Sequence, residues 1–104
     1  MPKIRLTVAY NRPPDADAFL EHYEDVHTAL ARAIPGVETF EWSKVVGTAT
    51  GEPPRYALLA QLTFESMEAF GAGLASPEGQ AAAADVASFA TNGAEMFISE
   101  LAES

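Results

Sequence analysis

From Lys3 to Tyr10 the chain reads K-I-R-L-T-V-A-Y, with Ile4, Leu6, Val8 and Tyr10 alternating against Lys3, Arg5, Thr7 and Ala9. A period of two predicts a strand with one buried face. The prolines of N-R-P-P end it, because proline gives a sheet ladder no donor. Asp15 then suits an N-cap, with Asp17 favoured by the dipole of the first turn. The pattern changes to Phe19, Tyr23, Val26, Leu30 and Ile34, the spacing of a helix with one buried stripe. Pro35-Gly36 stops that helix.

Residues 37–46, V-E-T-F-E-W-S-K-V-V, predict a second strand, and G-T-A-T-G-E-P-P predicts a loop. The third strand, residues 55–64, is apolar on both faces. Tyr56, Leu58, Ala60, Leu62 and Phe64 share one side, and Ala57 and Leu59 share the other. Ser66 caps a short helix, and Ser76-Pro77 starts another with proline at the favoured first position. Residues 94–101, A-E-M-F-I-S-E-L, close the series as a strand.

The order β-α-β-β-α-β predicts an α+β, ferredoxin-like sandwich spanning residues 1–104 as a single domain. Its two helices can cover only one face of the sheet. Apolar residues on both sides of strand three imply that both faces are covered, and a second subunit is the economical cover. A homodimer with two facing sheets is therefore expected. The alternative is a half-polar face left to solvent.

Composition mainly excludes. One core is what 104 residues can build, burying roughly 60–70% of the unfolded surface. Fifteen acids against six scattered bases give a net charge of −9, which argues against nucleic acid and anionic membranes as partners. No cysteine is present, so disulfides and thiolate zinc sites are ruled out. No apolar run approaches the roughly 20 residues of a membrane span, and the start M-P-K-I-R-L has no signal-peptide pattern. A cytoplasmic location is the expectation.

Both histidines, His22 and His27, lie in the first helix. Five residues separate them, about 140° around an α-helix, so they are not expected to converge. A helical metal pair needs a spacing of four, and no metal or other cofactor is expected. His27 falls at the edge of the buried stripe, while His22 falls on the solvent flank. An imidazole is the usual proton-transfer group near neutral pH, and Tyr23, one turn before His27, can orient a ligand or the ring. Equally, His27 can be a core-boundary residue satisfied by a backbone carbonyl. Glu21, Glu24 and Asp25 read as a solvated face. No G-x-S-x-G elbow is present, and G-A-G-L-A-S follows a helix rather than a strand, so its glycines read as helix packing.

Phe40 and Trp42 share one face of strand two, as Tyr56 and Phe64 share one face of strand three. They either line an apolar chamber between two sheets or pack against the helices. Arg5, with Lys3, is a candidate to orient an anionic or carbonyl group in such a chamber.

The stretch F-L-E-H-Y-E-D-V-H-T-A-L-A-R-A-I-P-G-V resembles the helix of the EthD-like family, a branch of the dimeric α+β barrel superfamily. The likeness extends to Y-N-R-P, L-T-F-E-S-M-E-A-F and L-A-S-P-E-G-Q-A-A-A-A-D, and so covers nearly the whole chain. It implies a dimer whose sheets form a barrel with a cleft in each half. It also implies an association with oxidoreductase systems, since the family is named for a protein required in bacterial degradation of a tertiary-alkyl ether. Barrel relatives include cofactor-free monooxygenases, polyketide cyclases and muconolactone isomerases. The family's tyrosine and histidine carry over to Tyr23 and His27, and His22 matches nothing fixed.

Three functions remain open at this point. One is an enzyme or accessory of degradative or secondary metabolism that binds an apolar or aromatic ketone-like molecule. His27 would be its acid/base and Tyr23 its orienting hydroxyl, in proton transfer, cyclisation or cofactor-free oxidation. The second is a non-catalytic carrier of a hydrophobic compound, and the third is a structural dimerisation module.

Overall fold

A computed structural model describes residues 2–102. Strand β1 (Ile4–Asn11) leads to helix α1 (Ala16–His22), one wide π-helical turn (Tyr23–His27) and helix α2 (Thr28–Arg32). Strands β2 (Val37–Lys44) and β3 (Tyr56–Phe64) form a hairpin. Helices α3 (Met67–Ala75) and α4 (Pro77–Phe89) precede β4 (Ala94–Glu100). The four strands are antiparallel in the order β2-β3-β1-β4, which is the ferredoxin-like α+β topology. The Cα envelope measures 38 × 33 × 17 Å. Its thin dimension fits one sheet and one helical layer, with the opposite sheet face uncovered.

The local signals act where the sequence places them. Asp15 accepts from the Ala18 amide at 3.0 Å, Ser66 from Ala69 at 3.1 Å and Ser76 from Gly79 at 3.0 Å, so α1, α3 and α4 each start on a capping side chain. In the sheet, Ile4 faces Phe64, Leu6 faces Leu62 and Val8 faces Ala60. These alternating positions are buried and meet Phe19, Tyr23 and Ile34 from the helices. Gly73 is where α3 comes closest to the turn after α2: a Cβ there would stand 2.5 Å from the Pro35 carbonyl. Of the two glycines in that segment Gly73 is a packing residue, whereas Gly71 is exposed, with nothing within 4 Å of an added Cβ.

The first helix departs from its expected geometry. The Thr28 amide donates to the Tyr23 carbonyl, five residues back, and the wider turn absorbs one extra residue. Downstream positions are thereby rotated. The buried stripe becomes Phe19, Tyr23, His27, Ala31 and Ile34, while Val26, expected inside, is 41% exposed.

A second departure lies at the sheet end. A register shift between Tyr10 and Asn11 pairs Tyr56 with Asn11, so Tyr56 leaves the face it would share with Leu58. The uncovered face is mixed: Thr7, Gln61, Glu41 and Thr39 are polar, Leu59 and Phe97 apolar. On edge strand β4, Met96, Phe97 and Ile98 are each 53% exposed.

Candidate active site

The π turn has a chemical consequence. His22 and His27, expected to diverge, both reach Asp85 on α4. His27 Nδ1 lies 2.9 Å from Oδ2 and His22 Nε2 lies 2.8 Å from Oδ1. On a regular α-helix five residues would separate the rings by about 140°; the widened turn brings them to one side. A carboxylate only accepts, so each imidazole nitrogen facing it carries the proton. That fixes His27 in the tautomer with a lone pair on Nε2, and Nε2 makes no hydrogen bond among the described residues.

The three side chains differ in access to water. Their exposures are 33% for His22, 11% for Asp85 and 6% for His27. Burial pushes the His27 pKa below its ordinary value; the Asp85 hydrogen bond and charge oppose this, and His22 adds to it. His27 is therefore neutral at pH 7, a free base in a dry place.

His27 borders a cavity of about 70 Å³ between the helices and the sheet. Tyr10, Tyr23, Phe40, Ala82 and Val86 also line it, with aliphatic side chains completing the wall. The Tyr23 side chain is fully buried, and its hydroxyl has no hydrogen-bond partner among the described residues. The Tyr10 and Tyr23 hydroxyls influence each other's ionisation through a weak hydrogen-bonding contact, although the Tyr23 oxygen meets no partner in strict hydrogen-bond geometry. Burial drives both phenol pKa values well up, so both keep their protons. The walls are aromatic: Tyr23 sits 5.2 Å from His27 and 5.1 Å from Trp42, and Phe89 covers both imidazoles at 4.8 and 5.2 Å.

The sequence-derived candidates thus separate. Tyr23, His27 and Phe40 meet at this cavity, and Trp42 packs behind Tyr23. Phe64 is fully buried against Phe70, away from the histidines. Arg5 points to the uncovered face, where it is paired across strands with Thr63. Tyr56 lies there too, its hydroxyl donating to Glu95 at 2.5 Å and Arg55 over its ring. The expected chamber between sheets is therefore not where Phe40, Trp42 and Phe64 lie: strand parity turns them toward the helices. Sequence reasoning missed Asp85 and set His22 aside. Asp85 did leave a trace, as the one acid in Q-A-A-A-A-D-V-A-S-F. Among the described residues no group of three or more potential ligands could hold a metal ion.

A family model described as the EthD domain matches residues 11–93, a span that contains both histidines, Tyr23 and Asp85. The chain belongs to the EthD family. A relative from Rhodococcus erythropolis, an uncharacterized 11.0 kDa protein in the thcB-thcC intergenic region, is 47% identical over 96 residues, 92% of either chain. Among solved structures, an EthD family protein from Bacillus halodurans superposes with a TM-score of 0.91 at 29% identity, over 96% of this chain and 99% of that one. Two more distant structures share the EthD fold. A dimeric ferredoxin-like protein of unknown function from Thermobifida fusca has a TM-score of 0.73 at 19% identity, covering 96% of this chain and 92% of its own. A hydroxynitrile lyase from Passiflora edulis has a TM-score of 0.80 at 14% identity, covering 99% and 96%. No described helix is long and apolar enough to cross a membrane.

Proposed function

We propose that this EthD-family protein catalyses proton transfer on a small neutral carbonyl or hydroxyl compound, with His27 as the acid/base. The observation that carries this reading is the His27–Asp85 pair, which leaves a neutral Nε2 lone pair on a residue that lines an apolar cavity. Asp85 holds the productive tautomer and supports the imidazolium once a proton arrives. Tyr23 supplies a buried, unpartnered hydroxyl to donate to the ligand's oxygen. Nε2 takes a proton from the carbon beside the carbonyl, and the electron pair moves onto the oxygen facing Tyr23. Return of that proton to a different atom gives the isomer. Among the described residues no cation and no carboxylate lines the cavity, which favours uncharged ligands with few heavy atoms.

The cavity is a property of one protomer, but we also infer a homodimer. Exposed Met96, Phe97 and Ile98 on an edge strand would template aggregation unless covered. The dimeric Thermobifida fusca protein of the same fold supports a second copy as the cover. Sedimentation should give twice the chain mass, and a monomer at micromolar concentration would overturn it.

The catalytic reading is tested by hydrogen–deuterium exchange in heavy water with a panel of small ketones and aldehydes, followed by proton NMR. The protein should accelerate exchange beside the carbonyl of at least one member, and His27→Gln should abolish that acceleration. Exchange that persists undiminished in the variant would remove His27 from the chemistry.

A further inference from the structure

We propose that His22 is a positioning residue that keeps His27 in its basic form by holding the one positive charge that Asp85 can neutralise. This rests on the acid/base reading of His27. Two imidazoles share one carboxylate, each donating to a different oxygen, at 2.8 and 2.9 Å. One negative charge can support one imidazolium well; a second, across the same carboxylate, meets repulsion from the first. The imidazole nearer to water carries charge at the lower cost, and His22 is 33% exposed against 6% for His27. The positive charge therefore rests on His22, and His27 stays neutral with Nε2 available.

Turnover then exchanges the charge between the two rings. When Nε2 of His27 takes the ligand's proton, His22 releases one to solvent, and the net charge of the three groups is unchanged. Nothing needs to cross the carboxylate. When His27 returns its proton to the product, His22 takes one up again. Other titratable groups surround the three, among them Asp15, which lines the same surface depression as His22. Tyr23 on the same turn and Tyr10 on β1 are held neutral by burial, and Arg32 on α2 is felt by Tyr23. Phe89 of α4 packs at a tilt on both rings without charge. The π turn is what makes the arrangement available, since only its widened spacing places both rings over α4.

The test needs no substrate. Each imidazole of the full-length protein is followed by proton–nitrogen NMR from pH 4 to 9, in the wild type and in His22→Gln. In the wild type His22 should charge first on acidification, and His27 should bind its proton only at lower pH. In His22→Gln the His27 titration should move up by roughly 0.5–2 pH units, the span expected for two like charges facing one carboxylate at intermediate to high dielectric. A His27 titration that stays in place, or a wild type in which His27 charges first, overturns the proposal. Should His22→Gln fail to fold, the wild-type order alone decides. Failure of the acid/base reading is distinct: the titrations would behave as described while His27→Gln kept full deuterium exchange.

Discussion

Replacing Asp85 by Asn changes almost no volume and removes the acceptor that two histidines share. The hydrogen bond to buried His27 is charge-assisted, and such bonds contribute about 1.5–3 kcal/mol. The bond to His22, a third exposed, is discounted to under about 1 kcal/mol by solvent. Asparagine keeps one acceptor oxygen and turns an amide N–H₂ toward the other ring, which must flip its tautomer to accept. The net loss should be about 2 kcal/mol, well short of the roughly 5–15 kcal/mol that holds a domain together. With a urea dependence of about 1–3 kcal/mol per molar, the unfolding midpoint should fall by about 1 M. Trp42, the chain's one tryptophan, packs 5.1 Å from Tyr23 and reports the transition by fluorescence. A midpoint within about 0.2 M of the wild type would mean that the bridge contributes nothing measurable, and the account of how His27 is oriented would fall with it.

Tyr23→Phe removes a buried hydroxyl that has no partner, so stability should hold or rise by up to about 1 kcal/mol in urea unfolding, while proton exchange on a carbonyl ligand should fall. A clear loss of stability would show that the hydroxyl is already engaged. The His27 pKa is lowered in the folded state from 6.5 by burial, so the unfolded chain binds the proton more readily, and stability should be complete above that value. It should decline as pH falls from 6.5 toward the depressed folded pKa, and His27→Gln should lose that part of the slope in unfolding titrations at several pH values. Gly73→Ala puts a Cβ 2.5 Å from the Pro35 carbonyl and 3.2 Å from Ile34 and Phe64, and should cost about 1–3 kcal/mol; an unchanged melting curve would refute the close packing.

The sheet and the helix starts were legible because each rests on a local signal. Alternation in K-I-R-L-T-V-A-Y, the caps Asp15, Ser66 and Ser76, and the Pro-Gly stop all act within a few residues. The π turn leaves no such mark. E-D-V-H-T suits an α-helix as well, and the wider turn goes with tertiary contacts, Tyr23 in the core and His27 on Asp85 of α4, that no local signal announces. That one unseen residue of slip turned two diverging histidines into a pair and moved Val26 outward. Asp85 escaped for a related reason, since its partners sit 58 and 63 positions away. Strict alternation puts Tyr56 on the wrong side, because the register shift at Tyr10 and Asn11 depends on the neighbouring strand.

The π turn also affects how relatives should be aligned. A widened turn is equivalent to a single-residue insertion inside a helix, at a point where an ungapped comparison would see none. A family member that keeps a regular helix could present the same two rings to α4 from positions four apart. Its second histidine would then fall one column out of register with His27. Searches for this imidazole–carboxylate–imidazole unit should therefore allow a gap of one residue between Tyr23 and His27, and should anchor on the acid of the later helix.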